Sequence, residues 1–260
     1  MSAFYIIPNL REMNEIEELR KKYGLHYEFN EFYRPSVLDD KQEQLRIINE
    51  YSKYCDNFAA DTIHGAFLDV TVHSSDSLIR EVSEKRIVQS MEIAKEMGAR
   101  GVVFHSGAIG GFHLESYEKL WLSSNVDFFK RIADQYGNID IYMENMFDDG
   151  PALLAALAHE MRDVPNFGIC FDYAHGSLSD TAPANWMAAL SPYIRHMHIN
   201  DNDLQNDLHL PVGDGKTDWN HYAALMKEYD YAGSTLIEVQ GCEAIQRSLA
   251  YMEARRGNMG

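Results

Sequence analysis

The sequence predicts an α/β fold, a single (βα)8 TIM barrel spanning residues 1–260. Three observations carry this expectation. Eight short runs rich in β-branched and aromatic residues recur along the chain, with longer segments between them that carry apolar residues at three- and four-residue steps. The length allots each strand–helix pair about 30 residues, the size such a barrel requires. The first run continues as "IIPNLREM", without the glycine-rich turn that more often follows the first strand of an open doubly wound sheet.

In order, the strands fall at "FYIIP" (4–8), "LHYEF" (25–29), "AADTIHG" (59–65) and "GVVFHSG" (101–107). The second half supplies "IDIYMEN" (139–145), "FGICFDY" (167–173), "IRHMHIN" (194–200) and "STLIEVQ" (234–240). Between them, "NEIEELRKKYG" and "SDSLIREVSEKRIVQSMEIAKEMGA" read as helices, the second opening on Ser-Asp cap chemistry and closing on Gly98. "LESYEKLWLSSNVDFFKRIADQYG" reads likewise and is expected to end on Gly137. No linker or shift in composition marks a domain boundary.

The chain has 40 acids against 23 bases, a formal charge of -17. Nucleic-acid binding rests on cations that neutralise phosphates, so this balance argues against a nucleic-acid partner and for a small-molecule substrate. No apolar run is long enough to span a bilayer, and the start shows no secretory pattern. Cys55, Cys170 and Cys242 lie far apart without a CxxC, which points to buried thiols and a cytoplasmic setting.

Barrel active sites lie at the C-terminal ends of the strands. Here those ends carry His64, His105, Glu144, Asp172 with His175 just beyond, His198, and Glu238; the loop after strand seven adds Asp207 and His209. Singly, a strand-end histidine reads as a hydrogen-bonded structural residue, and Asp172 in "FDYAH" as a helix cap. Together, nine imidazoles and carboxylates from six strands would meet on one rim. Four carboxylates there would repel one another at neutral pH, and a divalent metal, zinc, manganese or iron, removes that repulsion. Nine ligands exceed the needs of one ion, so one to three ions are open, with two or three favoured. His196 shares a strand face with His198 one layer deeper and reads as its hydrogen-bonding neighbour. In "NDNDLQN" (200–206), the asparagines and the first two aspartates read as turn chemistry. The other histidines, His26, His73, His113, His159 and His221, read as surface or core residues.

With these residues in order, "HGAF" (64–67), "VVFHSG" (102–107), "MEN" (143–145), "GICFDYAH" (168–175), "HINDNDLQNDLH" (198–209) and "IEV" (237–239), the chain resembles the xylose isomerase-like TIM barrels. That family includes sugar isomerases and epimerases, and the endonuclease IV group of AP endonucleases (AP endonuclease family 2). In the epimerase branch, the resemblance implies that Glu144, Asp172, His198 and Glu238 hold one divalent ion while His175 and His209 contact substrate. In the endonuclease branch, it implies that all nine residues hold a trinuclear zinc cluster. The sequence departs from the endonuclease pattern: "HGAF" replaces His-Ala-Pro-aromatic, Ser106 stands where proline usually follows the histidine, and "NDNDLQ" lacks Ser-Lys. The basic loops that kink DNA are not evident. The "HLPVGDGKTDW" run (209–219) resembles the substrate-side loop of the small-sugar enzymes.

The expected activity is therefore a metal-dependent isomerase or epimerase of a small sugar or sugar phosphate. Glu144 and Glu238 would pass a proton off and onto carbon through an enediolate held by the ion. Lys216 reads first as a solvated loop cation and otherwise as a group that would meet a phosphate, and Trp219, Phe112 and Phe147 read equally as apolar walls of the site or as plain packing. The alternative is a multinuclear-metal phosphoesterase or phosphodiesterase of the endonuclease IV type. A metal-dependent carbohydrate sensor has no feature in its favour. Aromatic residues near the rim would suit a homo-oligomer interface.

Overall fold

A computed structural model describes residues 3–255. Eight strands, β1 (Phe4–Ile6), β2 (His26–Phe29), β3 (Thr62–His64), β4 (Gly101–His105), β5 (Asp140–Glu144), β6 (Phe167–Asp172), β7 (Ile194–Ile199) and β8 (Ser234–Ile237), run parallel and close in sequence order, β8 pairing back onto β1. Each lies inside its expected window.

Ten helices occur among the described residues: α1 (Met13–Tyr23), α2 (Pro35–Leu38), α3 (Lys41–Tyr51), α4 (Ser77–Met97), α5 (Glu115–Gln135), α6 (Ala152–Glu160), α7 (Tyr173–Leu178), α8 (Pro183–Leu190), α9 (Trp219–Glu228) and α10 (Cys242–Ala254). Asp76 caps α4 by accepting from the Leu78 N–H, and Gly98 ends it in the left-handed region. Helix α5 stops one residue before the expected Gly137. Its cap is Tyr136, whose ring is buried in the core. None of these helices is long and apolar enough to cross a membrane.

Strand side chains alternate between two buried environments. One set, including Ile63, Val102, Phe104, Ile141, Met143, Ile169 and Phe171, packs under the helices with Trp121, Phe129, Leu154 and Trp186. The opposite set fills the barrel interior. Tyr5, Ile7 and Leu236 form one small apolar cluster there, and Val103, Tyr142 and Cys170 another. Rings meet across the interior, Tyr142 stacking on His196 with Tyr5 at its edge. Polar side chains of the same alternation continue toward the C-terminal ends, which leads to the site. Of the cysteines, only Cys170 is buried; Cys55 and Cys242 are half-buried, contrary to expectation, since each lies outside the barrel interior.

Candidate metal centre

Glu144, at the end of β5, is the hub. Its Oε2 lies 3.5 Å from His64 Nε2 and 3.3 Å from His105 Nε2. Its Oε1 lies 3.1 Å from His198 Nδ1 and 3.7 Å from His175 Nδ1. His198 Nδ1 also stands 3.5 Å from Glu238 Oε2, which is 3.7 Å from His209 Nδ1. Asp207 Oδ2 closes the chain at 3.4 Å from His175 Nε2 and 3.2 Å from His209 Nε2. The structure thus places all nine sequence-selected residues in one continuous group. It divides into three ligand sets whose donor atoms lie within 4.8 Å of one another: His64, His105 and Glu144; Glu144, Asp172, His198 and Glu238; His175, Asp207 and His209.

Local structure aims these groups. His64, His175 and His209 direct Nδ1 at the backbone carbonyls of Gly65 (3.1 Å), Asn145 (2.9 Å) and Glu238 (3.1 Å). An N–H there leaves Nε2 as a lone-pair donor, the arrangement common to metal-ligating histidines. Asn145 ties β5 to β6 by bonding both the N–H and the carbonyl of Asp172. Asp172 has two roles: Oδ1 caps α7 by accepting the His175 N–H at 2.7 Å, while Oδ2 has no partner. His209 reaches the site from a left-handed backbone conformation, φ 47°, which histidine adopts more readily than most residues.

The donor set fits a divalent cation. Both oxygens of Glu144, Oδ2 of Asp172, Oε2 of Glu238, both ring nitrogens of His198 and Nε2 of His175 are buried without a hydrogen-bond partner. Orphaned atoms of this number are rare in a folded protein unless an ion or ligand satisfies them. The electrostatics agree. Burial raises Glu144, but the imidazoles of His198 and His105 outweigh it and hold the carboxyl well below its ordinary value. Burial carries Asp172 up to about 7, against the pull of His175. Burial opposes charge on His209, yet Asp207 and Glu238 raise it to about 10. These carboxylates recruit positive charge, which a divalent ion supplies directly.

Above the centre lies a cavity of about 630 Å³, lined by His64, His105, His175, Asp207, His209 and Glu238 on one side. Ile7, Phe67 and Met146 supply apolar wall, and the β2 end contributes Asn30, Glu31, Tyr33 and Arg34. Four expected substrate contacts lie elsewhere. Lys216 is exposed and outside the lining; Trp219 is buried at the start of α9, donating Nε1–H to Asp201 at 2.8 Å. Phe112 and Phe147 are also outside the lining and face solvent, Phe147 being 71% exposed.

Two residues escaped the sequence reading. Arg34 is the one Lys or Arg among the lining residues. Glu28, in β2, is fully buried, with Oε1 3.1 Å from His198 Nε2 and Oε2 3.2 Å from His196 Nε2. The available signal was alternation: in a barrel, the polar side of a strand faces the interior.

A family model described as xylose isomerase-like TIM barrel matches residues 19–255. The chain is 29% identical over 188 residues to the uncharacterized protein MJ1311 of Methanocaldococcus jannaschii, covering 68% of this chain and 63% of that protein's length. It is 27% identical over 184 residues to the uncharacterized protein MJ1614 of the same organism, covering 69% and 70%. Among solved structures, a D-tagatose 3-epimerase-like protein superposes with TM-score 0.76 at 22% identity, covering 99% of this chain and 98% of that one. The TTHB071 protein of Thermus thermophilus, soaked with ZnCl2, gives 0.75 at 24%, covering 98% of both chains. A D-psicose 3-epimerase with D-fructose present gives 0.72 at 12%, covering 99% of both. At these identities the structural likeness is one of fold.

Proposed function

The chain belongs to the xylose isomerase-like TIM barrel family, and we propose that it is a divalent-metal-dependent isomerase or epimerase of a small sugar or sugar phosphate. One observation carries this reading. Glu144 and Glu238, from strands three places apart around the barrel, share a single ligand set with Asp172 and His198. The epimerases among the structural neighbours lend support, and the cavity is of the size that holds a small ligand.

Glu144, Asp172, His198 and Glu238 would hold the ion, which as a Lewis acid polarises adjacent sugar oxygens and acidifies the C–H between them. Of the two glutamates, one accepts that proton and the other returns one to carbon. His175 and His209 would orient hydroxyls through Nε2, each ring being held by its Nδ1 on a backbone carbonyl. Arg34 replaces Lys216 as the group that would meet an anionic substituent.

The test is a panel of ketoses, aldoses and their phosphates in ²H₂O, read by deuterium entering a sugar carbon. Glu144→Gln and Glu238→Gln should each abolish exchange while leaving the circular dichroism spectrum unchanged. Near-normal exchange in either variant removes that carboxylate from the mechanism. A second reading, phosphoester hydrolysis at a multinuclear centre, is favoured by the two additional ligand sets, His64 with His105 and His175 with Asp207 and His209. Elemental analysis separates them. Two or three ions per chain, with phosphate-ester cleavage and no deuterium exchange, would replace the first reading with the second.

A further inference from the structure

Beneath the ligands lies a buried polar network that neither reading uses. We infer that Glu28 is a positioning residue, holding His198 as its Nε2–H tautomer so that Nδ1 is the nitrogen offered to the metal; this rests on the metal-binding reading above. Four contacts define the network. Thr62 Oγ1–H donates to Glu28 Oε2 at 2.7 Å, and His196 Nε2 lies 3.2 Å from the same oxygen. Ser234 Oγ lies 2.7 Å from His196 Nδ1. His198 Nε2 lies 3.1 Å from Glu28 Oε1.

Donor counting fixes the protons. Glu28 as a carboxylate can only accept, so His196 Nε2 must carry a hydrogen. Its Nδ1 meets Ser234 Oγ, whose hydroxyl hydrogen has two acceptors in reach, that nitrogen and the Arg195 carbonyl at 3.3 Å. Oε2 is filled by two donors. Oε1 has no hydrogen-bond partner, and neither has His198 Nε2; their 3.1 Å approach lies off the hydrogen-bond axis. Each is the nearest complement to the other's need: an acceptor for an N–H, a donor for a carboxylate oxygen. With the hydrogen on Nε2, the lone pair of His198 sits on Nδ1, the atom 3.1 Å from Glu144 and 3.5 Å from Glu238. The strands make this geometry, because His196 and His198 share one face of β7 and the register of β2 sets Glu28 beside Thr62 of β3.

The same counting predicts what Glu28→Gln does. The two donors at Oε2 hold the single amide oxygen there, so the amide NH2 takes the Oε1 place. That NH2 donates to His198 Nε2 and drives the hydrogen onto Nδ1, the metal-facing atom. Zn²⁺ binding, measured by competition with a chelator on protein stripped of metal, should weaken about 10- to 100-fold. In ¹⁵N-histidine spectra of the Zn²⁺-loaded protein, His198 should be an Nε2–H ring coordinated through Nδ1 in the wild type and should lose that form in Glu28→Gln. Thr62→Val removes a donor to Oε2 without touching His198, and should leave the tautomer as it was. A purely structural Glu28 would lower the unfolding midpoint in both variants and move the tautomer in neither. Zn²⁺ affinity in Glu28→Gln equal to wild type, or a His198 coordinated through Nε2 in the Zn²⁺-loaded wild-type protein, overturns the inference and leaves the function reading standing. Wild-type protein that binds no divalent ion overturns both.

Discussion

Asp201 gathers four donors onto one buried carboxylate. Oδ1 accepts from the N–H of Asn202 (2.9 Å) and Thr217 (3.0 Å), and Oδ2 from the N–H of Gly213 (2.9 Å) and the indole of Trp219 (2.8 Å). It therefore pins both ends of the loop that returns Asp207 and His209 to the centre. Asp201→Ala leaves those donors buried without an acceptor and should lower unfolding free energy by at least about 3 kcal/mol, read by urea titration. An unchanged midpoint would mean other contacts hold the loop. Burial opposes its charge, but Trp219 and Thr217 outweigh this and hold the carboxyl below its ordinary value of 3.8. Its stabilisation is therefore complete above that pH and lost as pH falls through the lowered value. Sequence reasoning took Asp201 for turn chemistry and Trp219 for a substrate wall. Each assignment treated as local what is one long-range bond between the two residues. His198 and Glu144 were legible because an ionisable group ending an apolar strand stands out. Glu28 was not, because a glutamate inside "HYEF" looks like the solvent side of an alternating strand.

At the scale of elements, the strand windows were legible because each strand is buried on both faces and reads as an apolar run bounded by turn residues. The short α2 and α7 were not, since four and six residues are too few to show a helical period. The ending of β3 shows how an element fixes a ligand. A Cβ on Gly65 would stand 2.3 Å from Cε1 of the buried Phe104 ring on β4. The ring is locked in the core beneath α5, so it cannot swing aside. Gly65→Ala should therefore destabilise by about 1–3 kcal/mol through overpacking. It should also shift His64, whose Nδ1 rests on the Gly65 carbonyl, and weaken metal binding at His64 and His105. Thermal unfolding and Zn²⁺ titration would read both. A variant as stable as wild type would show that the β3–β4 contact can open without loss.

For the whole molecule, the balance of charge sets the condition for stability. A chain of formal charge -17 places Glu28, Glu144, Asp172 and Glu238 in or at the mouth of the barrel interior, all buried. Their partners are imidazoles, which are cationic only when protonated, and the one Lys or Arg lining the cavity is Arg34. Of these carboxylates, Asp172 is the one whose ionisation burial opposes on balance, and a bound divalent cation would relieve that opposition in the folded state alone. Linkage gives the size. An ion at a hundredfold its dissociation constant adds about 2.7 kcal/mol. In a chain of this length each kcal/mol raises the unfolding midpoint by about 2–4 °C, so the expected rise is about 5–11 °C. Differential scanning fluorimetry with Zn²⁺, Mn²⁺ or Fe²⁺, against NaCl at equal ionic strength, measures it, and a chelator should reverse it. General screening of the acidic surface would raise the midpoint equally in NaCl, which would remove the assignment of the effect to the centre. The gain should also vanish in Asp172→Asn, since Asp172 Oδ2 is an orphaned atom of the four-ligand set. A full rise in that variant would place the stabilising ion at another of the three sets, making the multinuclear reading the stronger one.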